Sequence, residues 1–488
     1  MAQESSMNLA SAATLVAIFG GSVFAMRGAM QGSGGDKPAP TVTIANSASE
    51  ALTKLARSYY TVRDDPPKAK KALDKLIAEV GKTAKAQKVP DLLVALEDWR
   101  EILQAALVPE KPLVSIDAHE FKEFSIPCPL DSKADAKEMK PAFDGLMRVL
   151  ASVPADARKV KYPVILGLHP AEAETKSVAN IRKSKEIVDA TRQWAAATYS
   201  KDVLAKAIVV VPILDFVKRS EDAVSFTRPA WNSDDGKGYI LNTLNEFVRF
   251  ALNYDARRIY LDGAGSGAAV AADFCTLFPS LQTGAIVRGP LPTDEKFVER
   301  FENTVGVPML FVGGEKKDDK VVPFAKAIVD KFTLADGYKL TQKDALDDAT
   351  LLAWLNDNPK TFAPKKVRIR TDDLAYADCY WIRAFEVDMN LEKEAIVVDA
   401  AIDRDKNEIT VVTSKKVKSF EIFLNDEVLD LAREVRILHR KMEESGEAKE
   451  CFHGMVKRVM ENAVDSLVKG YSANTGEVYV ASRLIEIR

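Results

Sequence analysis

The sequence predicts an α/β protein on a doubly wound, mostly parallel sheet, preceded by a helical segment and followed by an all-β, sandwich-like part. Three observations carry this. Strand-like and helix-like segments alternate between about residues 111 and 365. Helical periodicity dominates residues 45–110. After Pro364 the helices largely stop, and short strands recur with turn residues between them.

At 488 residues the chain is longer than one ordinary domain and leaves room for two or three units. With 47% hydrophobic and 28% charged residues it reads as globular, neither disordered nor fibrous. Its 68 basic and 71 acidic residues leave a net charge of −3, and the basic pairs look scattered rather than striped. No nucleic-acid partner is expected. Cys128, Cys275, Cys379 and Cys451 lie far apart without C-x-x-C spacing, which argues against a structural zinc site or a disulfide framework. No cofactor or metal is expected.

The run "NLASAATLVAIFGGSVFAM", residues 8–26, carries no charge and is long enough to span a bilayer. It is only modestly apolar, and the residues before it carry only Glu4 where a secretory signal begins with positive charge. Residues 1–26 are expected to be a signal or membrane-anchor-like segment, the alternative being a helix packed on the protein itself. A Gly/Ser/Pro-rich linker, residues 27–44, follows. The matching expectation is an exported or membrane-associated, cell-envelope protein with a tether at its N-terminus.

Between 45 and 110 three amphipathic helices are predicted. Leu52, Leu55, Ala56 and Tyr59 keep helical spacing until Pro66-Pro67 breaks the run. "AKKALDKLIAEVGKTA" resumes it, and "DLLVALEDWREILQAAL" gives a third helix with Asp91 as N-cap and Trp99 in the core.

In the α/β part, 111–365, "LVSIDAHEFKEFSIPCPL" reads as two strands. "YPVILGLHP" and "AIVVVPIL" are continuous apolar runs, the mark of strands buried on both faces. "RRIYLDGA", "TGAIVRG" and "VPMLFVGG" are further strands, with helices such as "GYILNTLNEFVRFALN" and "SGAAVAADFCTLF" between them. The β-rich part, 366–488, contains "KVRIRT", "CYWIRAFEVD", "EITVVTS" and "EVYVASRLIEIR".

The stretch "YLDGAGSGAAVAADF", residues 260–274, carries the chemistry and has two readings. Gly263, Gly265 and Ala268 fit the G-x-G-x-x-A loop of a dinucleotide site. That loop belongs on the first strand–helix unit, with a carboxylate about 20 residues on. Here it comes late, and the next strand ends in Arg288. The other reading is a nucleophile elbow, Ala264-Gly265-Ser266-Gly267-Ala268, between a strand and a helix. Its small residues suit a turn too tight for side chains, so the elbow is preferred.

With "YPVILGLHP", "RRIYLDGAGSGAA" and "PMLFVGGEKKDDKVVPF" the chain resembles the α/β-hydrolase superfamily. More narrowly it resembles exported bacterial relatives of dienelactone hydrolases, feruloyl-type esterases and prolyl-oligopeptidase-like peptidases. The resemblance covers about residues 113–365, with a looser match at "PKKVRIRTDDLAYADCYWIRAFEV". It implies an α/β-hydrolase-like sheet, Ser266 as nucleophile, and Asp319 or its neighbour Asp318 as the acid. It also implies an oxyanion hole from the Gly267 amide and an amide near His169 or Pro170. Pro170 stands where the family has glycine, which removes one N–H.

The resemblance fails at the base. A serine hydroxyl needs one, and the histidine should lie between about 335 and 355, where "ADGYKLTQKDALDDATLLAWL" has none. The chain's histidines are His119, His169, His439 and His453. The last two reach Ser266 only if the β-rich part folds over the site. Lys339 and Lys343, in the loop expected to hold the histidine, are solvated charges before they are bases. Asp262 reads as a turn or capping residue. Arg228 and Trp231, in "RPAWNSDDG" at the rim, either line a pocket or pack.

Two functions remain. One is a degenerate hydrolase fold kept as a binding or structural module, with protein partners on its helical and β appendages. The other is an active serine hydrolase for a small ester or peptide, using an unconventional base or a histidine from the β-rich part.

Overall fold

The computed structural model describes residues 42–108, 119–127, 140–141, 146–157, 159–171, 174–177, 184–215, 217–218, 225–289, 291–292, 294–313, 328, 330–332, 337–468 and 476–487. Thr43–Arg488 form one compact unit. The uncharged run and the linker before it lie outside the described residues, as do Asp318, Asp319 and Cys128. Among the described residues no helix is long and apolar enough to cross a membrane.

The main sheet has eight strands: β1 (Lys122–Pro127), β2 (Leu146–Ser152), β3 (Tyr162–Leu168), β4 (Ile208–Pro212), β5 (Tyr254–Ala264), β6 (Gly284–Arg288), β7 (Pro308–Val312) and β8 (Lys339–Lys343). Their spatial order is β1-β2-β4-β3-β5-β6-β7-β8. Strands β3 to β8 are mutually parallel, and β2 runs against both its neighbours. The apolar runs work as their pattern requires. Val164, Leu166, Leu168, Ile208 and Val210 face one core, while Ile165, Val209, Val211 and Tyr260 face the other. Alternate residues of one strand thus serve opposite layers, so a continuous apolar run is the stable choice.

Three elements depart from the sequence expectation. Of the two strands expected in 113–130 only β1 is described, and residues 113–118 and 128–130 lie outside the described set. Lys339 and Lys343 are not in a loop but at the ends of β8, which pairs with β7. That strand is a sheet edge, and its polar "KLTQK" sequence suits an edge that must not recruit another chain. The helix from Asp234 to Ala251 carries a π-helical stretch at Thr243–Val248.

The helical segment holds α1 (Asn46–Val62), α2 (Pro66–Gln87) and α3 (Leu96–Leu107), and the α/β part continues with α4 (Ser184–Thr198) and α5 (Asp234–Asn242). Pro66 and Pro67 end the first run and open the second, where the missing N–H costs nothing. Asp91 caps a single 3₁₀ turn, accepting from the Leu93 amide at 2.9 Å, and α3 starts after it. Trp99 is fully buried and donates from Nε1 to Leu92 O at 2.9 Å.

After Pro364, a five-stranded sheet is built from β9 (Lys366–Thr371), β12 (Ile396–Asp403), β13 (Glu408–Thr413), β15 (Val435–Lys441) and β16 (Lys449–Gly454), in that order. Four strands make a second: β10 (Asp378–Cys379), β11 (Ile382–Val387), β14 (Val417–Leu424) and β17 (Ala481–Glu486). Phe420 of the second lies 5.7 Å from the His439 ring of the first, so the sheets face each other.

Helices and β-rich part dock on the same end of the main sheet. Gln104 donates to Tyr254 O at 2.9 Å, Glu101 pairs with Lys161 at 3.3 Å, and Glu97 pairs with Arg257. These are the N-terminal ends of β3 and β5. From the β-rich side, Arg368 pairs with Glu302 at 2.9 Å, and Asn303 exchanges two bonds with the Arg370 backbone, just before β7. At the junction the Arg100 guanidinium bonds Glu477 at 2.5 Å and Glu427 at 2.7 Å. The Phe362 ring lies beneath three cations, Arg100, Arg257 and Lys360, at 4.6, 5.2 and 5.8 Å.

Removing one partner of a buried ion pair leaves the other charge desolvated. Arg100→Met is therefore expected to lower unfolding stability in urea by about 3 kcal/mol, and the double change with Glu477→Leu should recover much of it. A loss below about 1 kcal/mol would show that this junction does not hold the parts together.

Candidate functional site

The turn after β5 runs straight from strand into helix through Gly265. Gly265 has φ 56° and ψ −124°, the conformation of the first central residue of a type II′ turn, where glycine dominates. The helix α6 (Ser266–Leu277) starts at the next residue. The turn is tight because α6 lies against the end of β3. A Cβ on Gly267 would lie 2.0 Å from Leu168 O, and one on Gly263 would lie 2.1 Å from Gly267 O.

This geometry corrects the frame read in the sequence. The elbow is centred on Gly265, within Gly263-Ala264-Gly265-Ser266-Gly267, one residue before Ser266. In a nucleophile elbow the residue at the strained apex presents its side chain above the sheet. Here the apex residue has no side chain, and Ser266 is the first residue of the helix with ordinary helical backbone. Ala264 and Ala268 are small enough to fit the other frame equally well, so the sequence alone does not separate the two.

Ser266 faces the turn after β3 instead. Its hydroxyl accepts from the Ala171 amide at 2.9 Å and donates to the Ala171 carbonyl at 2.7 Å. Both hydroxyl functions are thereby engaged by one backbone residue. The Ala171 N–H is thus already used. This residue had no signal in the sequence, since it acts through its backbone.

His169 precedes it and is buried, 3% exposed. Its Nδ1 is 3.0 Å from Pro170 O, and its ring packs against Trp194 and Trp231 at 6.2 and 5.4 Å. Trp231 is buried and donates from Nε1 to His169 O at 2.7 Å. Arg228 donates to Leu214 O at 2.7 Å. Trp231 therefore packs behind the β3 turn and holds its carbonyl, and Arg228 ties the rim to the end of β4.

Asp262 is neither turn nor cap. It is fully buried in β5 and forms a two-pronged pair with Arg288, Nε–Oδ1 2.8 Å and Nη2–Oδ2 3.0 Å. The parallel register sets Ile286 beside Asp262, so Arg288, two residues on, shares its face. Register, not composition, creates this pair, which is why the sequence did not display it. It braces the elbow from below, and the Gly265 amide donates to Arg288 O at 3.3 Å.

All four histidines are described, and none hydrogen-bonds Ser266. His119 sits exposed in a turn. His439 Nε2 is 3.0 Å from Thr413 Oγ1, and His453 lies 3.3 Å from Glu434. Both belong to the β-rich part, which docks at the opposite end of the strands. Lys360 N donates to Arg257 O there at 2.8 Å. The eight steps from Arg257 to Gly265 span about 25 Å along β5. The loop after β8, where the fold would hold its histidine, is Asp344-Ala345-Leu346-Asp347, and Asp347 caps the next helix, Asp348–Asp357. Among the described residues no His/Cys/Asp/Glu cluster could hold a metal ion. A small cleft lined by Leu277, Phe278, Leu281, Tyr376 and Asp378 lies at the far end of α6, away from the elbow.

The strand order, the elbow after β5 and the β3 turn facing it together define an α/β-hydrolase fold. No family model matches the chain, and no curated protein matches it. Among solved structures it is similar to a thermostable esterase, with 18% identity over 49% of this chain and 64% of that one, TM-score 0.31. An S-formylglutathione hydrolase from Agrobacterium tumefaciens shares 13% identity over 51% of this chain and 96% of that one, TM-score 0.29. A ferulic acid esterase from the anaerobic fungus Anaeromyces mucronatus shares 14% over 51% and 94%, TM-score 0.27. Strand topology and turn geometry carry the fold.

Burial first, then the nearby Arg228 charge, hold His169 down to about 4 against the lift from the Pro170 carbonyl. A folded value below the ordinary 6.5 means that the stability linked to this neutral ring is complete above about pH 6.5 and is lost as pH falls toward 4. His169→Gln should flatten that slope, worth about 3 kcal/mol at most. An unchanged slope in denaturant titrations from pH 4 to 7 would assign it to other groups.

Proposed function

We propose that this chain is a degenerate α/β-hydrolase-fold protein serving as a binding or structural module, with its helical and β-rich parts as the docking surfaces. The observation that supports it most is the elbow apex. Gly265 occupies the position from which a nucleophile acts and carries no side chain. The adjacent serine is not a substitute, because its hydroxyl is held in two bonds to Ala171 and, among the described residues, no base hydrogen-bonds it. Asp318 and Asp319, the acid candidates, lie outside the described residues, but an acid without a histidine has nothing to orient. Treating the β-rich part as a domain of its own belongs to the same reading.

Fluorophosphonate labelling of the full chain tests it. No covalent adduct is expected, and Ser266→Ala should leave ester hydrolysis at the uncatalysed level. The same variant should cost about 1–2 kcal/mol of stability, because it removes two hydrogen bonds and strands the Ala171 amide. A covalent adduct that disappears in Ser266→Ala would reinstate the active serine hydrolase acting on a small ester or peptide.

A further inference from the structure

The lysines that look scattered in the sequence line up once α2 has defined ends. Lys68, Lys71, Lys75, Lys82 and Lys85 fall at helical spacings of three, four, seven and three, on one face, and all are exposed. The stripe is about 25 Å long. The opposite seam, Ala69, Leu76 and Thr83, is buried, and α2 packs through it on α1. Lys68 pairs with Asp65 at 2.7 Å and Lys82 with Glu79 at 3.2 Å. Lys71, Lys75 and Lys85 have no acidic partner among the described residues. The chain as a whole is slightly acidic, at −3, so this is a local concentration of charge.

We propose that the lysine stripe of α2 docks on an anionic phospholipid surface. The chemistry of the face selects this occupant. The helix contains neither arginine nor any aromatic residue. It therefore lacks the anchors that dominate protein interfaces and the stacking groups of single-stranded nucleic-acid sites. Hydrated ammonium groups on flexible stems suit a diffuse array of lipid phosphates, where position matters less than number. The sequence supplies a second pointer. An uncharged run of bilayer-spanning length, residues 8–26, precedes the helical segment with only a short linker between.

The test is co-sedimentation of the full chain with phosphatidylcholine vesicles, with and without phosphatidylglycerol. The difference between the two is the quantity read, since the uncharged run contributes to both. Anionic vesicles should bind more tightly, and added salt should abolish the difference. The triple variant K71Q/K75Q/K85Q should weaken anionic binding about fivefold per charge removed, roughly 100-fold together. K71R/K75R/K85R keeps the charge and should bind as the unaltered chain does, which separates charge from folding. Equal binding of the glutamine variant and the unaltered chain overturns the proposal. So does a DNA duplex that binds through the same lysines as tightly as the anionic vesicles.

Discussion

The close approach of α6 to the end of β3 is the constraint on which the site depends. Leu168 O occupies the space where a side chain on residue 267 would project, so the helix can start there only with glycine. That contact sets the turn at Gly265 and brings Ser266 against Ala171. The Asp262–Arg288 pair fixes β5 and β6 just below it. Bonds and ring contacts then extend outward through Ala171, His169 and Trp231. The architecture of a hydrolase elbow is therefore kept by packing, independently of whether chemistry runs there.

The two ends of the sheet have different tasks. The C-terminal end carries the elbow and the β3 turn. The N-terminal end carries the junction at which α3, β5, the segment after residue 357 and the β-rich part converge on Arg100, Lys360 and Glu477. Burial holds the Lys360 ammonium down to about 7 and pushes the Glu477 carboxyl up to about 7. Such groups usually mark catalytic sites. Here they lie about 25 Å along β5 from the elbow, inside a junction whose bonds join separate parts of the chain. At this junction the perturbed ionisation follows from burial.

Much of this was legible beforehand, for identifiable reasons. Strands β3 and β4 announced themselves because both their faces are buried, and α1 to α3 because each buries one stripe. Strand β8 was missed because an edge strand needs no apolar residues. The elbow was located to within one residue. Its frame was misread because Gly263, Ala264, Gly265, Gly267 and Ala268 are all small, and only a backbone angle distinguishes the apex. The Asp262–Arg288 pair and the Ser266–Ala171 bridge depend on register and on backbone atoms, which a string of side chains does not carry. The lysine stripe was present in the spacing, but it becomes a face only when α2 has ends.

On the reading proposed above, the same facts bear on why an elbow would be kept without a nucleophile. A residue with a Cβ at φ 56°, ψ −124° holds strain, of order 1–3 kcal/mol, and active sites retain it because the reaction needs the side chain in that place. Glycine at the apex releases the strain. A serine one position later adds two hydrogen bonds to the β3 turn. Both features stabilise the fold, the direction expected where activity does not oppose stability. On the reading proposed here, the site has been turned into a clasp between β3 and α6, and binding is left to the surfaces around it.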